Sequence, residues 1–337
     1  HYKQNPKSNI VLFLKISFHN NIKRVIKYMA IRVPIRNRKQ SIRYWLFTAL
    51  LLSLTAAKGD GDMGHRSMGS VGLDAGSQPD IGVYVGDRFF YSHANELKDK
   101  HGNNVPINGL DIQSEANVVG TSGTYKLKEG PYLTAAIAVP YARVTTKANV
   151  PAIDIERLGL GDIFVEPLMI GWRQKHFDAV ASYSFYAPTG QLNRNGLGQS
   201  QWAQQFSAGG TLFFDDERGW RLSALTSYNL YHKKTGVDAT RGDSVQIQGG
   251  LGGKLSKFID FGLVGYGLLQ IANNEGSDVP SSLADYREKA FGLGPELGIT
   301  IPMLRSKITA RYEWDIEAVA RPQGEVLVVS LSVLAWR

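Results

Sequence analysis

Five residues near the C-terminus recur at every second position and are polar: Thr309, Arg311, Glu313, Asp315 and Glu317. On an extended strand they would share one face at spacings of about 6.6–6.8 Å. Carboxylates packed so closely repel one another, and Arg311 is the cation nearest to them in that row. Asp111, Glu115, Asp162, Glu166, Glu288 and Glu296 stand in other segments with the same alternation. Two kinds of chemistry suit such a set. The charges could pair structurally and fill a narrow interior, or they could line the path of a solute. The spacing leaves both open, and it nominates Asp111, Glu115, Asp162, Glu166, Glu296, Arg311, Glu313 and Asp315 as lumen-lining residues.

Other chemistries find less support. His65, His93, His101, His176 and His232 have no metal-ligand spacing such as HExxH. Asp60, Asp62 and His65 lie on glycine-rich sequence, where such spacing arises by chance. The chain has no cysteine, which removes thiol catalysis and disulfides. The glycines of GDGDMG and LGLGD do not open a strand-to-helix turn, so they make no phosphate cradle. The sequence therefore calls for no cofactor, no metal and no catalytic residue.

Positive charge is concentrated at one end. Residues 1–57 hold eleven lysines and arginines and no acid, which leaves 27 basic against 30 acidic residues in the rest. The basic pI of about 9.4 thus belongs to a leader rather than to a nucleic-acid surface. From Met29 the order is a basic region, an apolar stretch from Tyr44 to Leu54 and small residues at Thr55-Ala56-Ala57, the pattern of a secretory signal. We read residues 1–28 as an upstream translated extension and 29–57 as the signal peptide. Residues 58–79, rich in Gly, Ser and Asp, read as a flexible periplasmic linker.

These candidate residues need elements to hold them, and the period-2 pattern from Asp80 onward supplies strands. In the 306–317 segment the polar row faces an apolar one, Ile308, Ala310, Tyr312, Trp314 and Ile316. Twelve strands are expected near 81–92, 108–120, 131–145, 161–173, 176–188, 200–214, 218–232, 242–254, 257–271, 286–301, 306–317 and 325–336. Their links alternate between short turns (Gln174-Lys175, Asp215–Arg218, Leu255-Ser256, Pro302–Arg305) and longer polar segments (93–107, 146–160, 189–199, 233–241, 272–285, 318–324). Only the link 121–130 blurs that distinction. Mean hydropathy is −0.19, a value that alternating membrane strands readily give. Short turns at one end and long loops at the other predict an antiparallel up-and-down transmembrane β-barrel over residues 80–337. In lipid such a sheet must close, because an open edge would leave backbone groups unpaired.

Five segments carry a family resemblance: Leu158–Trp172 (LGLGDIFVEPLMIGW), Ser182–Gly190 (SYSFYAPTG), Gly262–Gly267 (GLVGYG), Leu293–Pro302 (LGPELGITIP) and Arg321–Leu331 (RPQGEVLVVSL). In this order they resemble the meta-pathway of phenol degradation family, the SphA-like outer-membrane proteins, over residues 80–337. The resemblance implies a bacterial outer-membrane channel that admits small hydrophobic or aromatic compounds without energy input. Its implied partners are outer-membrane lipids, the barrel-assembly machinery and the solute; it implies a monomer and no nucleic acid. The ending Ala335-Trp336-Arg337 departs from the aromatic terminus usual for such barrels. A structural or surface-interaction barrel with a plugged lumen is the second reading, and an outer-membrane enzyme the third.

Overall fold

The computed structural model describes residues 68–150, 152–190 and 196–337, and the backbone of 9–17 and 26–34. The chain falls into two units, His1–Ala56 and Ala57–Arg337. In the first, β1 (Asn9–Ser17) pairs antiparallel with β2 (Ile26–Pro34), Asn9 opposite Pro34. The rest of the expected leader, including the junction at Ala57, lies outside the described residues.

The second unit is a closed antiparallel sheet of β3 (Gly82–Leu97), β4 (Asp111–Lys126), β5 (Tyr132–Ala148), β6 (Ile153–Leu160), β7 (Ile163–Arg173), β8 (Phe177–Ala187), β9 (Ala203–Phe213), β10 (Arg221–Tyr231), β11 (Ser244–Ser256), β12 (Ile259–Gln270), β13 (Lys289–Ile301), β14 (Ser306–Val319) and β15 (Pro322–Trp336). Apart from β6 and β7, each strand pairs with its sequence neighbours, and β3 pairs with both β4 and β15, so the sheet meets itself. β6 and β7 both pair with β5, along different lengths of it. They are two halves of one wall strand interrupted at Gly161-Asp162, and the barrel therefore has the twelve expected strands. Pro167 sits where the β7–β8 register slips between Val165 and Leu168. A residue without an N–H belongs at such a bulge.

The short links all lie at one end. The blurred link is the short turn 127–131. At the other end two expected long loops are instead strand. β5 and β6 run on to leave only 149–152 between them, and β14 and β15 are joined by Ala320-Arg321, with Ala320 at φ 57°. Polar residues there stay in the ladder because that end stands in water, where outward charges cost little. The longest link, 271–288, carries the single-turn helix α1 (Ser281–Ala284).

The outer wall is apolar in a belt, with Val119, Ile137, Leu222, Ile247, Leu251, Phe261 and Leu263 all exposed. Trp172, Trp220 and Trp336 border it on the short-turn side and Trp202 and Trp314 on the long-loop side. That arrangement matches a hydrocarbon slab with aromatic interfaces. The protein is an outer-membrane β-barrel.

Candidate functional site

Strand parity fixes what faces the lumen. On β10 Arg221, Ser223, Ser227, Asn229 and Tyr231 are buried, whereas Leu222, Ala224, Thr226 and Tyr228 are exposed. β11, β12 and β14 repeat this, with Gln246, Gln248, Asp260, Val264, Thr309, Arg311 and Glu313 buried. Side chains facing an empty lumen would be wet. Many of these, among them Arg221, Ser223, Gln248 and Arg311, are covered by residues 68–80.

That segment threads the barrel. At the short-turn rim Arg173 donates through Nη1 to Asp80 Oδ1 at 2.7 Å and through Nη2 to Pro79 O at 2.8 Å. Gln78 Nε2 reaches Thr134 Oγ1 at 3.2 Å, and Ser77 Oγ lies 2.9 Å from both Asp178 and Thr211. Asp74 closes a quartet of charges: Arg221 Nη2 is 2.8 Å and Lys307 Nζ 2.6 Å away, and both cations also approach Asp260, at 3.4 and 3.2 Å. Leu73, fully buried, enters a socket of inward glycines. A Cβ on Gly252 or Gly262 would come within 2.9 or 2.7 Å of Leu73 Cδ2, so only glycine leaves the room. Burying one leucine contributes roughly 1.5–3 kcal/mol. Ser70 meets Gln248 at 3.3 Å, Arg311 Nη1 donates to Gly69 O at 3.0 Å, and Arg321 at the opposite end donates to Met68 Sδ at 2.9 Å. Over residues 68–79 the expected flexible linker is therefore wrong. Its glycines and small polar residues let it lie flat against a polar barrel wall, and its backbone carbonyls satisfy arginines there.

The nominated residues divide. Glu296, Arg311, Glu313 and Asp315 do share the lumen. Arg311 Nε lies 3.0 Å from Glu296 Oε2, both side chains being almost fully buried. Asp315 accepts from Tyr266 Oη at 2.6 Å and from Gly324 N at 3.0 Å. Glu313 is fully buried beside Gly69, and among the described residues neither carboxylate oxygen has a hydrogen-bond partner. Glu166 faces inward from β7 and holds Ser182. Asp162 is a staple rather than a pathway residue. It fills the β6–β7 break and accepts from Gly190 N and Gln199 N, each at 2.8 Å, pinning the base of the 188–202 loop.

Asp111 and Glu115 face outward, contrary to expectation. Thr124 and Thr134 are buried and bonded to each other at 2.8 Å, which makes the even residues of β4 lumenal. Asp111 pairs outside with His93 at 3.3 Å, and Glu115 stands opposite Arg143, which holds Glu156 at 2.9 Å. This stretch of wall rises beyond the membrane, so its outer face meets water and can be charged. Glu317 also leaves the lumenal row. The register slip opposite Phe291 and Gly292 turns it out to Lys289 at 2.7 Å. Tyr132 faces inward, under Lys126 and Arg173.

The sequence reading did not find the lumenal face of β3 to β7. Phe90, Val118, Ala138, Pro140, Val144 and Phe164 lie on inward positions there, all apolar and all half-exposed. Residues 68–77 run along the polar side of the lumen, and only Gln78, at the short-turn rim, reaches across to β5 and β7. The signal of this apolar face is a row of small residues on β5 (Ala136, Ala138, Pro140, Ala142), easily read as lipid-facing. Among the described residues no cluster of His, Asp and Glu is arranged to hold a metal ion.

Comparison with known proteins follows this geometry. A family model described as Putative MetA-pathway of phenol degradation matches residues 94–331. Curated protein sequences give no match. Among solved structures, the COG4313 outer membrane channel from Pseudomonas putida F1 is similar in fold, with 14% identity and a TM-score of 0.67 over 77% of this chain and 97% of that one. The transport unit of the autotransporter AIDA-I from Escherichia coli aligns with 9% identity and a TM-score of 0.47 over 76% of this chain and 91% of that one.

Proposed function

Since this chain belongs to the family described as Putative MetA-pathway of phenol degradation, we propose that it is a passive channel for small apolar or aromatic molecules of the phenol type. One observation carries the reading. The inward positions from Phe90 through Ala138 to Phe164 are mostly apolar, with Arg88 and Glu166 the charged exceptions, while residues 68–77 run along the polar side. An uncharged aromatic molecule loses little on entering such a conduit, because it has few hydrogen bonds with water to give up. An ion would lose more. The barrel contributes no chemistry to the solute and acts as a monomer in outer-membrane lipid, delivered there by the barrel-assembly machinery.

The threaded segment favours one rival, a barrel closed by its own N-terminal chain. Flux separates the two. In vesicles whose outer leaflet is lipopolysaccharide, which phenol crosses poorly, the protein should accelerate entry of labelled phenol over protein-free vesicles. Equal rates would leave the closed barrel as the better reading.

A further inference from the structure

One cation on the conduit wall has no anion beside it. Arg88 faces inward from β3, and its Nε donates to Ser330 Oγ on β15 at 3.2 Å. Arg173, Arg221 and Arg311 each hold a carboxylate. Among the described residues none lies within ion-pairing distance of Arg88, and no protein acceptor takes its Nη protons. Its electrostatic neighbours are Arg311, Tyr186 and Glu296, and Glu296 is already engaged by Arg311.

Beside Arg88 the wall is recessed. Gly86 stands opposite Gly120, Gly120 opposite Ala138, Ala138 opposite Phe164, and Phe164 opposite Tyr186. The first three have no side chain beyond Cβ. The row ends at two rings whose centroids are 5.1 Å apart. An apolar floor, an aromatic edge and an unpaired guanidinium thus occur together on inward positions. We propose that this is a binding site for small aromatic carboxylates, with the ring on the Gly86–Gly120–Ala138 floor against Phe164 and the carboxylate on Arg88. The guanidinium fork matches a carboxylate with two parallel N–H···O bonds. A half-buried cation lacking a partner gains most from a ligand that brings one. A conducting site must also release its ligand, so occupancy is brief. The inference rests on the lumen being a solute path.

Single-channel recording in planar bilayers tests it with benzoate as probe and acetate, which lacks the ring, as control. Benzoate should interrupt the wild-type current and acetate should not. Arg88→Gln should make the interruptions roughly tenfold or more weaker in benzoate concentration, as for loss of a charge-assisted pair. The outward variant Glu115→Gln should respond as wild type. If Arg88→Gln does not assemble, Ala138→Leu fills the recess while keeping the arginine, and should weaken benzoate similarly. Equal benzoate sensitivity in wild type and variant, or equal interruption by acetate, overturns the site. Phenol entry into lipopolysaccharide vesicles by the wild type separates the failures: entry without a benzoate effect removes only this site, and no entry removes the channel reading.

Discussion

Asp74 on the threaded segment and Arg221 on β10 meet at 2.8 Å inside the lumen. Lys307 from β14 takes the other carboxylate oxygen at 2.6 Å. One acid on the segment thus ties two strands, β10 and β14, and Asp260 completes the neutralisation.

Asp74→Asn should loosen the segment without preventing assembly. The Asp74 side chain is half exposed, so water screens the pair and the loss should be about 1 kcal/mol. Mean conductance and current noise should rise, read in planar bilayers against wild type. Unchanged traces would mean that the quartet does not hold the segment in place.

Arg311→Ala should cost more. Arg311 and Glu296 are both nearly fully buried, and the arginine also holds Gly69 O. Removing one partner of such a pair costs about 3–5 kcal/mol. The temperature at which the barrel loses its compact gel mobility should fall. Arg311→Met with Glu296→Met should recover much of that loss, since no charge is then stranded. Channels that do form from Arg311→Ala should shift toward cation preference.

Glu313→Gln should be tolerated or stabilising. Both carboxylate oxygens are buried without a hydrogen-bond partner among the described residues, and an unsatisfied buried charge costs more than an amide that can donate. The same thermal gel assay reads this, and a strong loss of stability would show that the carboxylate is needed as an anion.

The long-loop end has a clasp with a defined pH sense. Asp238 binds Lys233 at 2.7 Å and accepts from Ser277 N and Oγ at 3.0 and 2.8 Å, joining the 232–243 link to 271–288. The hydrogen bond from Lys233, followed by those from Ser277, holds its carboxyl well below the usual carboxylate range. A depressed pKa adds stability that is full above the ordinary value and is lost only as pH falls through the lowered one. The protection of the amides in the two links, measured against the intrinsic exchange rate at each pH, should therefore hold through mildly acidic solution and be lost only in strong acid. In Asp238→Asn that protection should be lower already at neutral pH and should not fall further as acid is added.

Much of the barrel was legible because strand parity is a local property: Leu222, Ser223 and Ala224 declare their faces by themselves. Parity does not say which side is wet. Polarity alone places Asp111 and Glu115 inward, but their strand rises beyond the lipid, where charge belongs outside. The β5–β6 and β14–β15 links look long in the sequence for the same reason, since Asp154, Glu156 and Arg321 resemble loop residues. Residues 68–80 have no period at all, since successive residues meet different strands rather than one face of a sheet. Their trace in the sequence is indirect, in the glycines Gly250, Gly252 and Gly262, which leave a space that Leu73 fills.

The mostly apolar wall of β3 to β7 is the proposed solute path. The most direct measurement compares phenol entry into lipopolysaccharide vesicles for wild type, Ala138→Trp and Leu263→Trp. Ala138 faces the conduit, whereas Leu263 faces lipid on the far side of the barrel and is half exposed there. Entry should fall severalfold in Ala138→Trp and stay at the wild-type rate in Leu263→Trp. Undiminished entry through an assembled Ala138→Trp barrel would contradict the account.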